Sequence, residues 1–304
     1  MHKKNLRLLF GYIAKRHSIY KRRFLEGMKA PWTKDPILRE FRFTNVFRDL
    51  DIGTKYFVDT ILPKCTNPKM VIFNAIIYRF INNIKTINHL GIQDPDNFSI
   101  ELFECKLRDW KNDGNRVFTN AYMVSGYWSI NPGMDKITKT CTIMGWIHKD
   151  IRKITAQIMA GEDWVDKWES SDVTYKTLLN IKGLGVFLAY QIGVDLGYWN
   201  PKIFNEDLYT IAGPGCRNGL KLVFRDKGDY SWEDLILFLV KNQNKVWKEL
   251  GLDPDEIFND RPIRRLNLMA MENCLCEISK YLRAFYNKGR PRNKYHYKHS
   301  DLVR

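Results

Sequence analysis

Long apolar runs are missing from this 304-residue chain: no stretch approaches the roughly eighteen to twenty apolar residues that a membrane helix needs. A secretory leader is missing too, since no charged start followed by an apolar core ends in a small-residue cleavage site. Cysteine is sparse and scattered: Cys65, Cys105, Cys141, Cys216, Cys274 and Cys276 include one close pair, C-x-C, which matches no zinc or iron–sulfur spacing. Of the six histidines, His2, His17, His296 and His299 lie near the ends, so neither a histidine metal site nor a triad is expected. Repeats, Ser/Gly-rich linkers and low-complexity tracts are also missing. These absences exclude secretion and membrane insertion, and they predict a cytoplasmic protein with reduced thiols, working as a monomer without metal or cofactor.

What the chain does have is positive charge. Forty-nine Lys and Arg against thirty-four Asp and Glu leave +15, a self-repulsion usually tolerated where a polyanion is bound, so nucleic acid is the leading partner. The charge crowds two places: Lys3, Lys4, Arg7, Lys15, Arg16 and Lys21 to Arg23 at the start, and Lys288, Arg290, Arg292, Lys294 and Lys298 at the end. Apolar positions recur with helical period at Ile72, Phe73, Ile76, Ile77 and Phe80, and again at Leu266, Met269, Leu275, Ile278 and Leu282, which predicts a mainly α fold. Asn112 to Asn115 signals a turn, and the segment Val117 to Val124 after it fits a short strand or a helix start. The division expected is a basic segment over 1–38, a helical half over 39–170, and a second half over 171–304 ending in a basic tail.

The middle of the chain reads Asn180-Ile-Lys-Gly-Leu-Gly-Val-Phe-Leu-Ala-Tyr-Gln-Ile-Gly193. Ser171 or Asp172 is the candidate cap of a helix that Gly183 ends, and a second helix begins at once. Between them Gly183-Leu184-Gly185 can turn backbone N–H groups outward at a helix N-terminus, where a phosphate is readily held. Lys182 adds a cation beside them.

Leu178-x-x-Ile181-x-Gly183-Leu184-Gly185-x-x-x-Ala189 resembles the helix-hairpin-helix motif of the DNA glycosylase superfamily. The resemblance implies a two-half helical bundle with a cleft, in which the hairpin (Lys182, Gly183, Gly185) grips DNA phosphates and an acid follows the second helix. Asp207, twenty-two residues after Gly185, is the candidate acid, with Asp195 in reserve. Where lyase-type members carry a nucleophilic lysine this chain has Phe187, so a Schiff base through that position is not available.

Four further blocks narrow the likeness: Arg39 to Asp51, Val117 to Tyr122, Ala212 to Gly215, and Met271 to Tyr281. They resemble the α-glutamyl/putrescinyl-thymine pyrophosphorylase group, a glycosylase-like branch that includes the helical domain of 5-hydroxymethyluracil DNA kinases and is linked to phage DNA with hypermodified pyrimidines. Read as chemistry, Arg42, Asn45, Arg48 and Asp51 mix cations, an amide and an acid at helical spacing, as the edge-reading pocket of a flipped base requires. Asn120 and Tyr122 join that expected pocket, with Glu272 and Asn273 on the terminal helix; Ala212 to Gly219 is expected as a glycine-built loop beside it. No G-x-x-x-x-G-K-[ST] occurs, so a P-loop kinase site is not expected.

The leading expectation is a monofunctional DNA glycosylase, a hydrolase that flips and excises a 5-hydroxymethyl-derived pyrimidine, glucosylated or not, from double-stranded DNA, with Asp207 assisting cleavage of the N-glycosidic bond in a phage or antiviral-defence setting. The alternative keeps the fold and changes the bond. A hypermodification transferase would replace pyrophosphate on 5-(pyrophosphomethyl)uracil with an amine or amino acid, with Arg42, Arg48 and Lys55 as the diphosphate clamp.

Overall fold

Most helices in this protein begin at a short polar side chain that caps them. In the computed structural model, which describes residues 2–119 and 133–295, Asp35, Asn67, Ser99, Asp135, Asp166, Ser231 and Asn267 each accept a backbone N–H at a helix start. Each such cap contributes about 1 kcal/mol. The described residues hold fourteen α-helices and no strand: α1 (Lys3–Tyr20), α2 (Pro36–Glu40), α3 (Ile52–Tyr56), α4 (Pro68–Ile81), α5 (Ile84–Leu90), α6 (Ile100–Asn112), α7 (Lys136–Met159), α8 (Lys167–Leu179), α9 (Val186–Trp199), α10 (Pro214–Val223), α11 (Trp232–Lys241), α12 (Gln243–Glu249), α13 (Pro254–Ile257) and α14 (Leu268–Phe285). The mainly α expectation is met. None of these helices is long and apolar enough to cross a membrane.

The chain forms two compact units, one joining Met1–Asp51 to Thr210–Arg304 and the other comprising Ile52–Tyr209. These divide the chain differently from 1–38, 39–170 and 171–304, and the reason is packing. The basic first segment is not an arm: α1 buries Leu9, Phe10 and Ile13 completely and packs on α10, α12 and α14, with Phe10 set edge-on to Trp247 at 4.6 Å between centroids. Residue 171 lies within α8, so a boundary there would cut a helix.

In the first unit, α10 and α14 approach closely because Gly219 faces the Leu275 carbonyl, where a Cβ would overlap the oxygen. This corrects the expected loop. Residues from Pro214 onward are helical, and neither Gly215 nor Gly219 has a positive φ; their missing side chains admit α14 instead.

In the second unit, α4 is buried at every position from Val71 to Ile81 and packs on α7 and α9. One buried cation on it, Arg79, meets Asp195 of α9 through both its Nε and Nη2, with the two side chains 3% and 0% exposed. The turn expected at Asn112 to Asn115 is present, with Gly114 at φ +80°. Val117 to Thr119 is non-helical, and the rest of that block, Asn120 and Tyr122 included, lies outside the described residues.

Candidate functional site

The hairpin is built from α8, a turn over residues 180–184, and α9. Asp166, not Ser171 or Asp172, caps α8 by accepting from Trp168 and Glu169; the two expected caps lie a turn further in, where Ser171 is buried and donates to the Lys167 carbonyl. Gly183 sits at φ +96°, and a Cβ there would come within 2.7 Å of Ile143 Cδ1, so conformation and space both require glycine. Gly185 is the N-cap of α9 and no side chain caps that helix, which is what an anion site at a helix start requires. Lys182 is exposed and its Nζ stands 4.3 Å from the Trp146 ring centroid. Val186 and Phe187, at the start of α9, are 43% and 37% exposed.

A second polar cluster forms where residues 42–51 lie on α14. Asn45 is at its centre: its side-chain Oδ1 accepts from Arg16 Nη2 at 2.6 Å, its Nδ2 donates to the Leu50 carbonyl at 2.9 Å, and its backbone N–H donates to Asp51 Oδ1 at 3.1 Å. Asn273 Nδ2 donates to the Asn45 carbonyl at 2.7 Å, while its Oδ1 accepts from the Thr44 hydroxyl at 3.1 Å. Arg48 and Glu272 are buried within the same unit, and Glu272 Oε1 accepts the Gly213 N–H at 3.3 Å, at the N-cap of α10. Burial pushes the Glu272 carboxyl up to about 7, against the pull of that N–H and of the Arg48 charge. Burial likewise raises Asp51, with the Asn45 N–H, Arg48 and Arg16 opposing.

The structure therefore brings Asn45, Asp51 and Asn273 into one hydrogen-bonded network, but not on one helix face. Residues 42–47 are non-helical, followed by a single 3-10 turn over Arg48–Leu50, so Arg42 is exposed while Asn45 and Arg48 are buried. Asn45 and Asn273 both have their side-chain amides committed within the protein, and Arg42 and Thr44 are the exposed residues of the 42–47 segment. Arg16 was missed, because it read as one of many cations in a basic run. Its signal was position: it falls on the face of α1 that also carries Leu9 and Ile13, and it is 6% exposed with its Nε and Nη2 on the Phe43 carbonyl.

Asp207 lies in the second unit, exposed in a turn where its N–H donates to Asn205 Oδ1 at 2.8 Å; its neighbour Glu206 accepts from Tyr198. Asp195, the reserve acid, is locked to Arg79. Lys55 is exposed on α3 of the second unit. Among the described residues no group of three or more His, Cys, Asp or Glu could hold a metal ion.

A family model described as 5-hmdU DNA kinase, helical domain, matches residues 3–290. A protein of Bacillus phage SP10 named 5-hmdU DNA kinase is 29% identical over 320 residues, covering 97% of this chain and 49% of the phage protein. The chain spans about half the length of the curated relative it matches. No solved structure matches it. These findings overturn the leading expectation: the family is named for DNA phosphorylation, not for base excision, so the glycosylase activity, the hydrolase class and the antiviral role attached to it are withdrawn. The misreading has a physical source. A glycine hairpin is a backbone geometry compatible with many reactions, and an aspartate at the right interval has no chemistry until its surroundings supply it.

Proposed function

We propose, from the premise that the chain belongs to the 5-hmdU DNA kinase helical-domain family, that it is a DNA-hypermodification enzyme acting on the exocyclic substituent of 5-hydroxymethyluracil in DNA. The observation that carries this reading is the family match across residues 3–290. The reaction it suits is group transfer at a pyrophosphorylated hydroxymethyl group, 5-(pyrophosphomethyl)uracil: an amine nitrogen bonds to the exocyclic carbon, the C–O bond breaks, pyrophosphate leaves with the electron pair, and the amine gives up a proton. The base and its N-glycosidic bond stay intact.

Chemically, the hairpin supplies phosphate contacts through the α9 amides and Lys182, and a net charge of +15 draws the chain to DNA. Exposed Arg42, three residues before Asn45, offers guanidinium donors to a pyrimidine edge or an anionic leaving group, with the buried network holding its segment rigid. A second reading, direct phosphorylation of the hydroxyl, is favoured by the name of the phage relative. It requires a phosphate cradle other than a P-loop, since the sequence contains no P-loop signature.

Nucleoside mass spectrometry distinguishes the two. The purified chain is incubated with DNA carrying thymine, 5-hydroxymethyluracil or 5-(pyrophosphomethyl)uracil, with and without ATP and a mixture of amines. The expected product is a heavier, amine-bearing nucleotide with release of pyrophosphate from the third DNA only. Phosphate added to 5-hydroxymethyluracil with ATP selects the second reading, and three unchanged DNAs would sink both.

A further inference from the structure

One cavity of the first unit belongs to neither the hairpin nor the Asn45 cluster. It is a groove of about 840 Å³ between α1 on one side and α11 and α12 on the other, with Tyr281 of α14 also lining it. Its cations are Lys3, Lys4, Arg7, Lys15 and Lys245, against one acid, Glu249. Two of the cations are already engaged: Lys15 pairs with Asp35 at 2.9 Å, and Lys4 lies over the Phe285 and Tyr286 rings. Lys3, Arg7 and Lys245 are exposed and have no ion-pair partner among the described residues. Beneath them the groove is apolar, lined by Leu6, Leu239, Val246, Leu250 and the 42%-exposed ring of Phe238.

Spacing explains the shape. Lys3, Arg7, Gly11 and Lys15 follow one another at four-residue intervals and so share one face of α1. Gly11 is the gap in that row: a Cβ there would meet nothing within 4 Å. Glycine in a helix interior disfavours the helix, yet neither close packing nor a positive φ requires it here. What it provides is room.

We propose that this groove binds a nucleoside polyphosphate, with the phosphates on Lys3, Arg7 and Lys245 and the heterocycle on the apolar floor beside Phe238. A free inorganic anion would leave the floor unused. A duplex presents its phosphates on a convex outer surface and has no apolar group to place there. The volume falls within the range of roughly 300–1,000 Å³ common to small-ligand sites. The inference is independent of which bond the enzyme makes or breaks on DNA.

The test is equilibrium binding to the full chain, using fluorescent ATP as probe and ATP, adenosine, pyrophosphate and a short single-stranded oligonucleotide as competitors. ATP is expected to displace the probe at least about tenfold better than either adenosine or pyrophosphate, because it alone uses rim and floor together. Arg7→Glu and Lys245→Glu should each weaken binding about tenfold or more. Gly11→Leu should abolish it by filling the groove, and this change favours the helix, so a folding defect will not mimic the result. Lys248→Glu, on α12 but outside the lining, should bind like the parent. Equal competition by pyrophosphate and ATP, competition by the oligonucleotide alone, or full binding in Gly11→Leu would each overturn the proposal.

Discussion

The two units bury charge in opposite ways. In the second, Arg79 and Asp195 meet directly, two nitrogens on two oxygens, with neither side chain more than 3% exposed. In the first, Arg16 points at the Phe43 carbonyl and the Asn45 amide, while Glu272 has an N–H rather than a cation as its bonded partner. The difference decides what each acid can do. A carboxylate in a bidentate pair has both oxygens engaged and ties α4 to α9. A buried carboxyl with no cation bonded to it loses its proton reluctantly, because burial penalises the charged form, and Glu272 accordingly titrates near neutrality.

The contrast can be broken most severely at the direct pair. Asp195→Ala leaves Arg79 buried without its carboxylate, so the second unit should lose about 3–5 kcal/mol in denaturant unfolding; Arg79→Met with Asp195→Leu should recover most of that, and an equal loss in the double variant would contradict the account. Next in size is the glycine contact of the first unit. Gly219→Ala places a methyl group against the Leu275 carbonyl and should cost about 3 kcal/mol, read as a lowered melting temperature, whereas Gly11→Ala on α1 should be neutral or stabilising.

The third test uses pH. Glu272 has a folded value of about 7 against an ordinary 4.5, so the folded state binds its proton more tightly than the unfolded state. Its contribution is then fully present below about pH 4.5 and is lost as pH rises towards 7, a change on the order of 3 kcal/mol. Glu272→Gln should remove that slope, so the difference in stability between variant and parent should grow in the variant's favour from pH 4.5 to 7 and stay level above. A parallel pair of curves would show that Glu272 does not titrate in this window. Burial lowers His17, which acts in the reverse direction below about pH 6.5, so the difference curve rather than either curve alone carries the result.

The smallest effect on stability is expected at the hairpin. Lys182→Ala should change unfolding by no more than about 0.5 kcal/mol, since it removes one exposed cation–ring contact. It should nevertheless weaken DNA binding and lower the slope of log affinity against log salt by about one. An unchanged slope would remove Lys182 from the phosphate contacts.

Some of this was legible in the residues themselves. The helical periods at Ile72 to Phe80 and Leu266 to Leu282 mark α4 and α14, because burial of one stripe or of the whole circumference leaves its period in the apolar positions. Gly183 was legible as a turn glycine for a local reason, its left-handed backbone. The four blocks pointed to the family that the matches identify, whereas the bond to be broken was misjudged from a spacing. What stayed hidden depended on distant partners. Nothing near Arg16 in the sequence announces Asn45, twenty-nine residues away, and nothing near Gly219 announces Leu275.

The sequence by itself determined the fold class, the charge that suits the chain to a polyanion, the glycine hairpin and the family, since composition, period and local backbone preference are short-range properties. Only the tertiary structure decided that the basic first segment is a core helix, that Asn45 and Asp195 are spent inside the protein, and that Lys3, Arg7 and Lys245 share a groove. Those outcomes depend on which surfaces meet, and burial converts the same side chains into network members, ion pairs or a free cationic rim.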